Sequence, residues 1–292
     1  MSWRTELVAI LMRFWRAGLM LSLILPVFLS PAGVAAQTGE EGSIELVDPK
    51  VLRVCADPRD LPFSNEAGEG FENKIAELLA QKLGKTLAYE FYPDATGFVR
   101  NTLNAHRCDV VMGMPQGDDI VQGTNPYYRT SYALVSKPGS GLETVDSLED
   151  PLLETKRIGI VAGTPPATNL AVNGLLERVK SYPLVVDTRV DAPASTMIED
   201  LEGGRIDVAI LWGPIAGYLA KNAKTPLKVT PLVKETSGQR LIYRIGMGVR
   251  HSDQEWKRLL NKLIAENQAE ITHILTRYGV PLLDENNGRL TE

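Results

Sequence analysis

The apolar and polar positions divide the chain into an N-terminal apolar block and a long region where short apolar runs alternate with helical stripes. Val51-Leu52-Arg53-Val54-Cys55-Ala56 predicts a strand, closed by Asp57-Pro58 because proline cannot donate to a ladder. A turn-rich loop covers 59–70. Phe71, Ile75, Leu78, Leu79 and Leu83 then recur at helical spacing, with Gly84 as the stop. A second strand over 87–92 and a short helix over 97–105 lead to Asp109-Val110-Val111-Met112-Gly113. That run does not alternate, as expected of a buried parallel strand. The same order recurs: a strand at 157–161, a turn at Gly163-Thr164-Pro165, a helix over 167–179, a strand at 184–186, a short helix at 195–201 and a strand at 207–211. Two β-α-β-α-β runs predict two α/β lobes.

Extended segments at 131–135 and 243–249 read as two strands crossing between the lobes. A C-terminal helix follows, with Trp256, Leu259, Leu260, Leu263, Ile264, Ile271, Ile274 and Leu275 on one stripe, ended by Gly279 and Pro281. The expected organisation is a discontinuous first lobe, 51–133 plus 247–282, and a second lobe over 134–246 that carries the hinge strands.

The N-terminal block sets the compartment. Arg4, Arg13 and Arg16 precede an apolar run over 17–28, and Val34-Ala35-Ala36 supplies the small residues of a cleavage site. The run falls short of the ~20 residues that span a bilayer. It therefore predicts a signal peptide over 1–36, a periplasmic protein with no membrane segment after cleavage, and a loose leader over 37–50. Removing 1–36 takes away three Arg and one Glu, leaving a net charge of about −7. That charge argues against nucleic acid and anionic membrane as partners.

Cys55 and Cys108 are the only cysteines. An oxidising compartment favours a disulfide between them. Strand register opposes it: an offset of about four residues, or ~13 Å, would separate them in a parallel pair. Both alternatives stand on the sequence. No nucleophile elbow, Walker loop or dinucleotide fingerprint is present, His106, His251 and His273 are scattered, and no residues have metal-ligand spacing. The chain reads as non-catalytic and without a metal site.

Leu52 to Asp57, Pro62-Phe63, Gly70-Phe71-Glu72-Asn73-Lys74-Ile75-Ala76, Lys82-Leu83-Gly84, Pro126-Tyr127-Tyr128 and Gly163-Thr164 together resemble amino-acid-type solute-binding proteins of ABC transporters. The resemblance covers roughly 50–280 and implies a type II periplasmic-binding-protein-like α/β fold. Two longer strings, Leu61-Pro62-Phe63-Ser64-Asn65-Glu66 running on to Lys74, and Gly97 to Asn104 with Cys108 to Gly113, look like a narrower subgroup. These are the J-type accessory proteins that accompany calcium- or lanthanide-dependent quinoprotein methanol dehydrogenases. The resemblance implies a monomer supporting assembly or activation of such an enzyme, with the dehydrogenase and its c-type cytochrome as partners. It implies no tightly bound cofactor and leaves pyrroloquinoline quinone (PQQ) open as a transient ligand. The alternative is a transport receptor for a small solute other than an amino acid.

The departures from the transport pattern support the accessory reading. Transport members place an Arg seven residues after the glycine of the third strand and a carboxylate after the corresponding strand of lobe two. Here Ile120 and Trp212 stand at those positions. Ligands of α/β sheets bind at the C-terminal ends of parallel strands. That rule nominates Asp57, Pro62, Phe63, Met114, Pro115, Tyr127, Tyr128, Arg129, Thr164 and Trp212 as the cleft lining.

Overall fold

The computed structural model describes residues 45–184 and 192–290. The stretch read as a signal peptide, 1–36, and residues 37–44 of the expected leader lie outside them. β1 (Val51–Ala56) is followed by a tight antiparallel pair, β2 (Arg59–Asp60) and β3 (Ser64–Asn65), and then by α1 (Phe71–Leu83). α1 turns Phe71, Ile75, Ala76 and Leu79 inward and ends at Gly84, which adopts the left-handed conformation favoured by glycine. β4 (Thr86–Phe91), α2 (Phe98–Asn101), β5 (Val110–Pro115) and β6 (Gln122–Gly123) complete the first β-α-β-α-β run. β1 lies between β4 and β5 and is parallel to both. Its three consecutive buried residues, Val54, Cys55 and Ala56, fit a strand covered on both faces.

β7 (Tyr128–Ser136) carries the chain onward. The second run comprises β8 (Ile158–Val161), α3 (Pro165–Val172), β9 (Val179–Tyr182), α4 (Pro193–Glu202) and β10 (Val208–Trp212). α5 (Gly213–Lys221), β11 (Lys228–Pro231), β12 (Ile242–Val249), α6 (Gln254–Glu266) and α7 (Gln268–Arg277) follow. The sheet order is β4-β1-β5-β12-β7-β10-β8-β9. β7 serves both halves of this sheet: Tyr128–Ser131 pair antiparallel with Ile245–Ile242, and Tyr132–Ser136 with Trp212–Val208. One core collects Leu52, Phe71, Ile75, Met247, Trp256, Leu260, Ile271 and Leu275. Separate clusters around Leu134, Ile158, Ile210 and around Met197, Leu201, Leu211 fill the second half. The architecture is the expected periplasmic-binding-protein fold.

Several expectations are corrected. The helix foreseen to 179 stops at Val172, because Gly174 turns the chain in the left-handed region (φ +71°). A single 3-10 turn then feeds β9 at 179–182, earlier than the strand foreseen at 184–186; Leu184 is an exposed bend, and 185 and 186 lie outside the described residues. The C-terminal helix is two helices. They part at buried Asn267, whose amide donates to the Leu263 carbonyl at 2.8 Å. Residues 45–50 are not loose. Glu45 accepts hydrogen bonds from the backbone N–H groups of Glu255 (2.5 Å) and Trp256 (3.0 Å), capping the first turn of α6. The two cysteines are bonded, with their Cα atoms 5.5 Å apart. The ~13 Å offset assumed that Cys108 continued the strand. Instead β5 starts at Val110, Cys55 pairs in register with Val111, and Cys108 sits outside the ladder.

Candidate functional site

The loop after β1 and the first turn of α1 form one unit. The Phe71 N–H donates to the Pro62 carbonyl (2.8 Å) and the Glu72 N–H to the Phe63 carbonyl (2.9 Å). A side chain at Gly70 would put its Cβ 2.0 Å from that Phe63 carbonyl oxygen, so glycine is required for the approach. Asn73 fastens the loop from inside: its Oδ1 accepts from the N–H groups of Asn65 (3.0 Å) and Gly70 (3.1 Å). Asp57 ties this unit to the loop after β4 by accepting from the Asp94 N–H at 2.6 Å.

These segments, with the end of β5, enclose a cavity of about 740 Å³. Asp57, Asp60, Glu72 and Asp94 all face it, while Arg100 is the one cation among its described lining residues. Among the described residues the side chains of Asp60, Glu72 and Asp94 have no ion-pair partner. Burial pushes Asp60 up to about 7, helped by the charges of Asp57 and Asp94. Burial likewise pushes Glu72 up to about 8, with Asp60 and Asp94 adding to it. Asp94 is raised by burial and then by Asp57. Each shift reflects desolvation and like charge acting together against the ionised form. Above Glu72 lies Tyr128, only 7 % exposed, whose phenol is pushed well up by burial and by the Glu72 charge.

A second, apolar cavity of about 430 Å³ adjoins the first, and Pro115 and Trp212 line both. Val161, Ile210, Leu211, Ile215, Tyr132 and Tyr243 make most of its wall. The Trp212 ring stands edge-on to Tyr132 and Tyr243, with centroids at 5.2 and 5.5 Å. It therefore marks the boundary between an acidic and an apolar compartment.

Of the nominated residues, Asp57, Phe63, Met114, Pro115, Tyr128 and Trp212 line the acidic cavity, and Thr164 with Trp212 the apolar one. Three nominated residues line neither cavity, and the first, Pro62, is buried in the loop after β1. Tyr127 is a core side chain, 1 % exposed, whose phenol oxygen accepts from the Gly113 N–H at 3.1 Å. Arg129 points to the opposite face, where it donates to the Glu285 carbonyl (3.0 Å) and to Asn287. Alternation along β7 separates Arg129 from Tyr128, since successive side chains of a strand take opposite faces. Ile120 does line the cavity, 53 % exposed, where the transport pattern expects an Arg.

The nominated set misses Asp60, Glu72 and Asp94. A usable signal was their position: Asp60 ends β2, Glu72 lies in the first turn of α1 and Asp94 in the loop after β4, all on connections that leave the C-terminal ends of β1 and β4, where α/β sheets bind ligands.

Residues 52–281 match the family of bacterial extracellular solute-binding proteins, family 3. The chain belongs to that family. Protein MoxJ of Paracoccus denitrificans is 31% identical over 270 residues, covering 88% of this chain and 98% of MoxJ. The crystal structure of the periplasmic binding protein XoxJ from Methylobacterium extorquens AM1 is 42% identical, with a TM-score of 0.68 over 80% of this chain and all of XoxJ. The histidine-binding periplasmic protein of Escherichia coli (strain K12) is 28% identical over 243 residues, covering 77% of this chain and 85% of its own length. The chain is thus homologous to the J-type proteins that its opening strings resemble, within a family that also contains solute receptors.

Proposed function

We propose that this family member is a non-catalytic periplasmic accessory protein of a quinoprotein methanol dehydrogenase system, using its cleft to bind the enzyme or a maturation intermediate. One observation carries the reading. Both positions that would grip an amino acid's charged ends, Ile120 and Trp212, face the cavity as apolar side chains. A free amino acid would leave both its α-carboxylate and its α-ammonium without those partners, and unpaired buried charge is costly. Homology to J-type proteins gives the reading its pathway.

The same lining disfavours PQQ as the occupant. That cofactor is a polyanion at neutral pH, and here it would meet Asp57, Asp60, Glu72 and Asp94 with only Arg100 to oppose them among the described residues. The residues present do not fit it, which leaves the dehydrogenase, and after it the c-type cytochrome, as the partners to test.

The test is co-purification. The tagged mature chain drawn from a methanol-grown periplasm should bring the dehydrogenase with it. If it comes away alone while a small metabolite raises its melting temperature by many degrees, the transport reading replaces this one.

A further inference from the structure

The acidic cavity holds two independent signs of a missing guest. Asp60, Glu72 and Asp94 line it with no cation paired to them among the described residues. Tyr128, more than nine-tenths buried, also lines it, and its hydroxyl makes no hydrogen bond to any described residue. Its Oη is not one of the sealed unpaired polar atoms of the interior, so it opens on the cavity, where water or a ligand atom can bond to it. Phe63 and Trp212 add two aromatic rings to the same lining, and aromatic faces attract cations. Through Trp212 and Pro115 the acidic compartment then opens onto the apolar one.

We propose that this cleft binds an amphipathic organic cation: an ammonium or guanidinium group among Asp60, Glu72 and Tyr128, with an apolar or aromatic arm lying past Trp212 into the neighbouring cavity. Both compartments are needed for the assignment. Carboxylates alone would suit any cation, and the apolar cavity alone any hydrophobe; their sharing of Trp212 selects a molecule with one charged and one apolar end. No three His, Cys, Asp or Glu converge as metal ligands among the described residues, which favours an organic cation over a metal ion. An amino acid is disfavoured by Ile120, which offers its carboxylate nothing. The cation can come from a free amine or from a Lys or Arg side chain beside an apolar residue on a partner chain; the chemistry of recognition is the same.

Where the cation is a partner's Lys or Arg the inference rests on the accessory reading, but its test stands apart, since the dehydrogenase can co-purify whether or not a small amine binds. Its test uses the mature chain and three probes of similar shape: phenethylammonium, neutral phenethyl alcohol and anionic 3-phenylpropionate. Trp212 and Trp256 are the tryptophans left after residue 36, and Trp256 is buried with its ring N–H donating to the Asp109 carbonyl (2.9 Å), so a binding signal in the emission belongs to Trp212. Phenethylammonium should give a saturable change and a raised melting temperature. The alcohol should bind at least tenfold more weakly and the anion not at all. Glu72→Gln and Asp60→Asn should each weaken the cation at least tenfold while the circular dichroism stays unchanged. Trp212→Phe should keep the thermal shift and lose the fluorescence change.

A blocked Arg-Phe peptide separates the two sources: binding of the peptide with or without the amine, or of the amine alone, sustains the proposal and says which source is used. The proposal is overturned if neither binds at 10 mM, if 3-phenylpropionate binds as well as the ammonium, or if both carboxamide variants fold and keep full affinity.

Discussion

Gly113 makes room for Glu72: a Cβ built on Gly113 would lie 2.5 Å from the Glu72 Oε1, closer than any real contact. Gly113 also has a φ of +72°, in the left-handed region where a side chain is strained. Gly113→Ala therefore meets two obstacles, a backbone penalty of about 1–2 kcal/mol and a carboxylate that must move. Lower stability in urea and a displaced Glu72 are the expected outcomes, read from a denaturation midpoint and a crystal structure. A variant as stable as the parent would mean that the Glu72 side chain does not occupy this position.

The raised carboxylates set a pH dependence whose sign is fixed. Glu72 and Asp60 bind protons more tightly when folded, with values of about 8 and about 7 against ordinary values of 4.5 and 3.8. Across the window from about 4 to about 8 the folded state therefore holds more protons than the unfolded one, and these groups make stability fall as pH rises. Of the groups around them Asp57, Asp94 and Asp118 add negative charge in the same sense, the phenols of Tyr127 and Tyr128 stay neutral, and Arg100 alone among the described lining residues opposes. Melting temperatures measured from pH 4.5 to 8.5 should decline, and Glu72→Gln should flatten the slope.

The opposite limb comes from Asp200. Its carboxylate is held far below the ordinary range by hydrogen bonds from Lys180 and Tyr182, with Arg205 adding to them. A depressed carboxylate stabilises the fold above its unfolded value of 3.8 and loses that contribution as pH drops below it. Asp200→Asn should therefore lower stability at pH 6 while narrowing its gap to the parent near pH 2, in paired denaturant titrations.

The fold was legible in the sequence because buried parallel strands and capped helices leave local signatures. Val110 to Met112 and the 71–83 stripe ending at Gly84 are read from a few neighbouring residues each. What escaped depends on distant partners. Arg129 is a cleft candidate by position, yet its orientation is decided by Glu285 and Asn287, more than 150 residues away. The disulfide stayed undecided because it turns on where β5 begins, and element ends are set by tertiary contacts such as the Asp109 N–H donating to the Arg53 carbonyl at 2.8 Å. Asp60, Glu72 and Asp94 look individually like solvated loop or helix-start residues. Only the fold shows that they share a cavity.

The Cys55–Cys108 bond closes a loop of 53 residues. Loop-closure entropy alone puts its contribution at about 4 kcal/mol. Cys55 also lines the acidic cavity, and the bond packs with Phe98, Val99, Leu103 and Val111 beneath it. Replacing both cysteines with serine should lower the urea midpoint by an amount corresponding to about 2–4 kcal/mol, and reduction of the parent should reproduce the loss.

Asp109 offers a test that separates stability from binding. Its buried carboxylate accepts from Arg53 through Nε (2.7 Å) and Nη2 (2.6 Å), and from Arg250 Nη2 at 2.9 Å. Arg250 is itself buried and also donates to the Cys108 carbonyl at 2.6 Å, so the network joins β1, the approach to β5 and the end of β12. Removing one partner of such a network leaves the other charged group buried without its counter-charge, at a cost of about 3–5 kcal/mol. Asp253, 2.7 Å from Arg250, retains part of the pairing and places the expected loss for Asp109→Asn toward the lower end. Asp109 precedes β5 and does not line the cavity, which begins at Val111 and runs to Pro115 along that strand. Asp109→Asn should therefore unfold at clearly lower denaturant yet bind its cleft ligand with unchanged affinity under native conditions. Equal losses in both measurements would show that the two ends of the sheet are coupled, and that the cavity's shape depends on this ion network as well as on the loops around it.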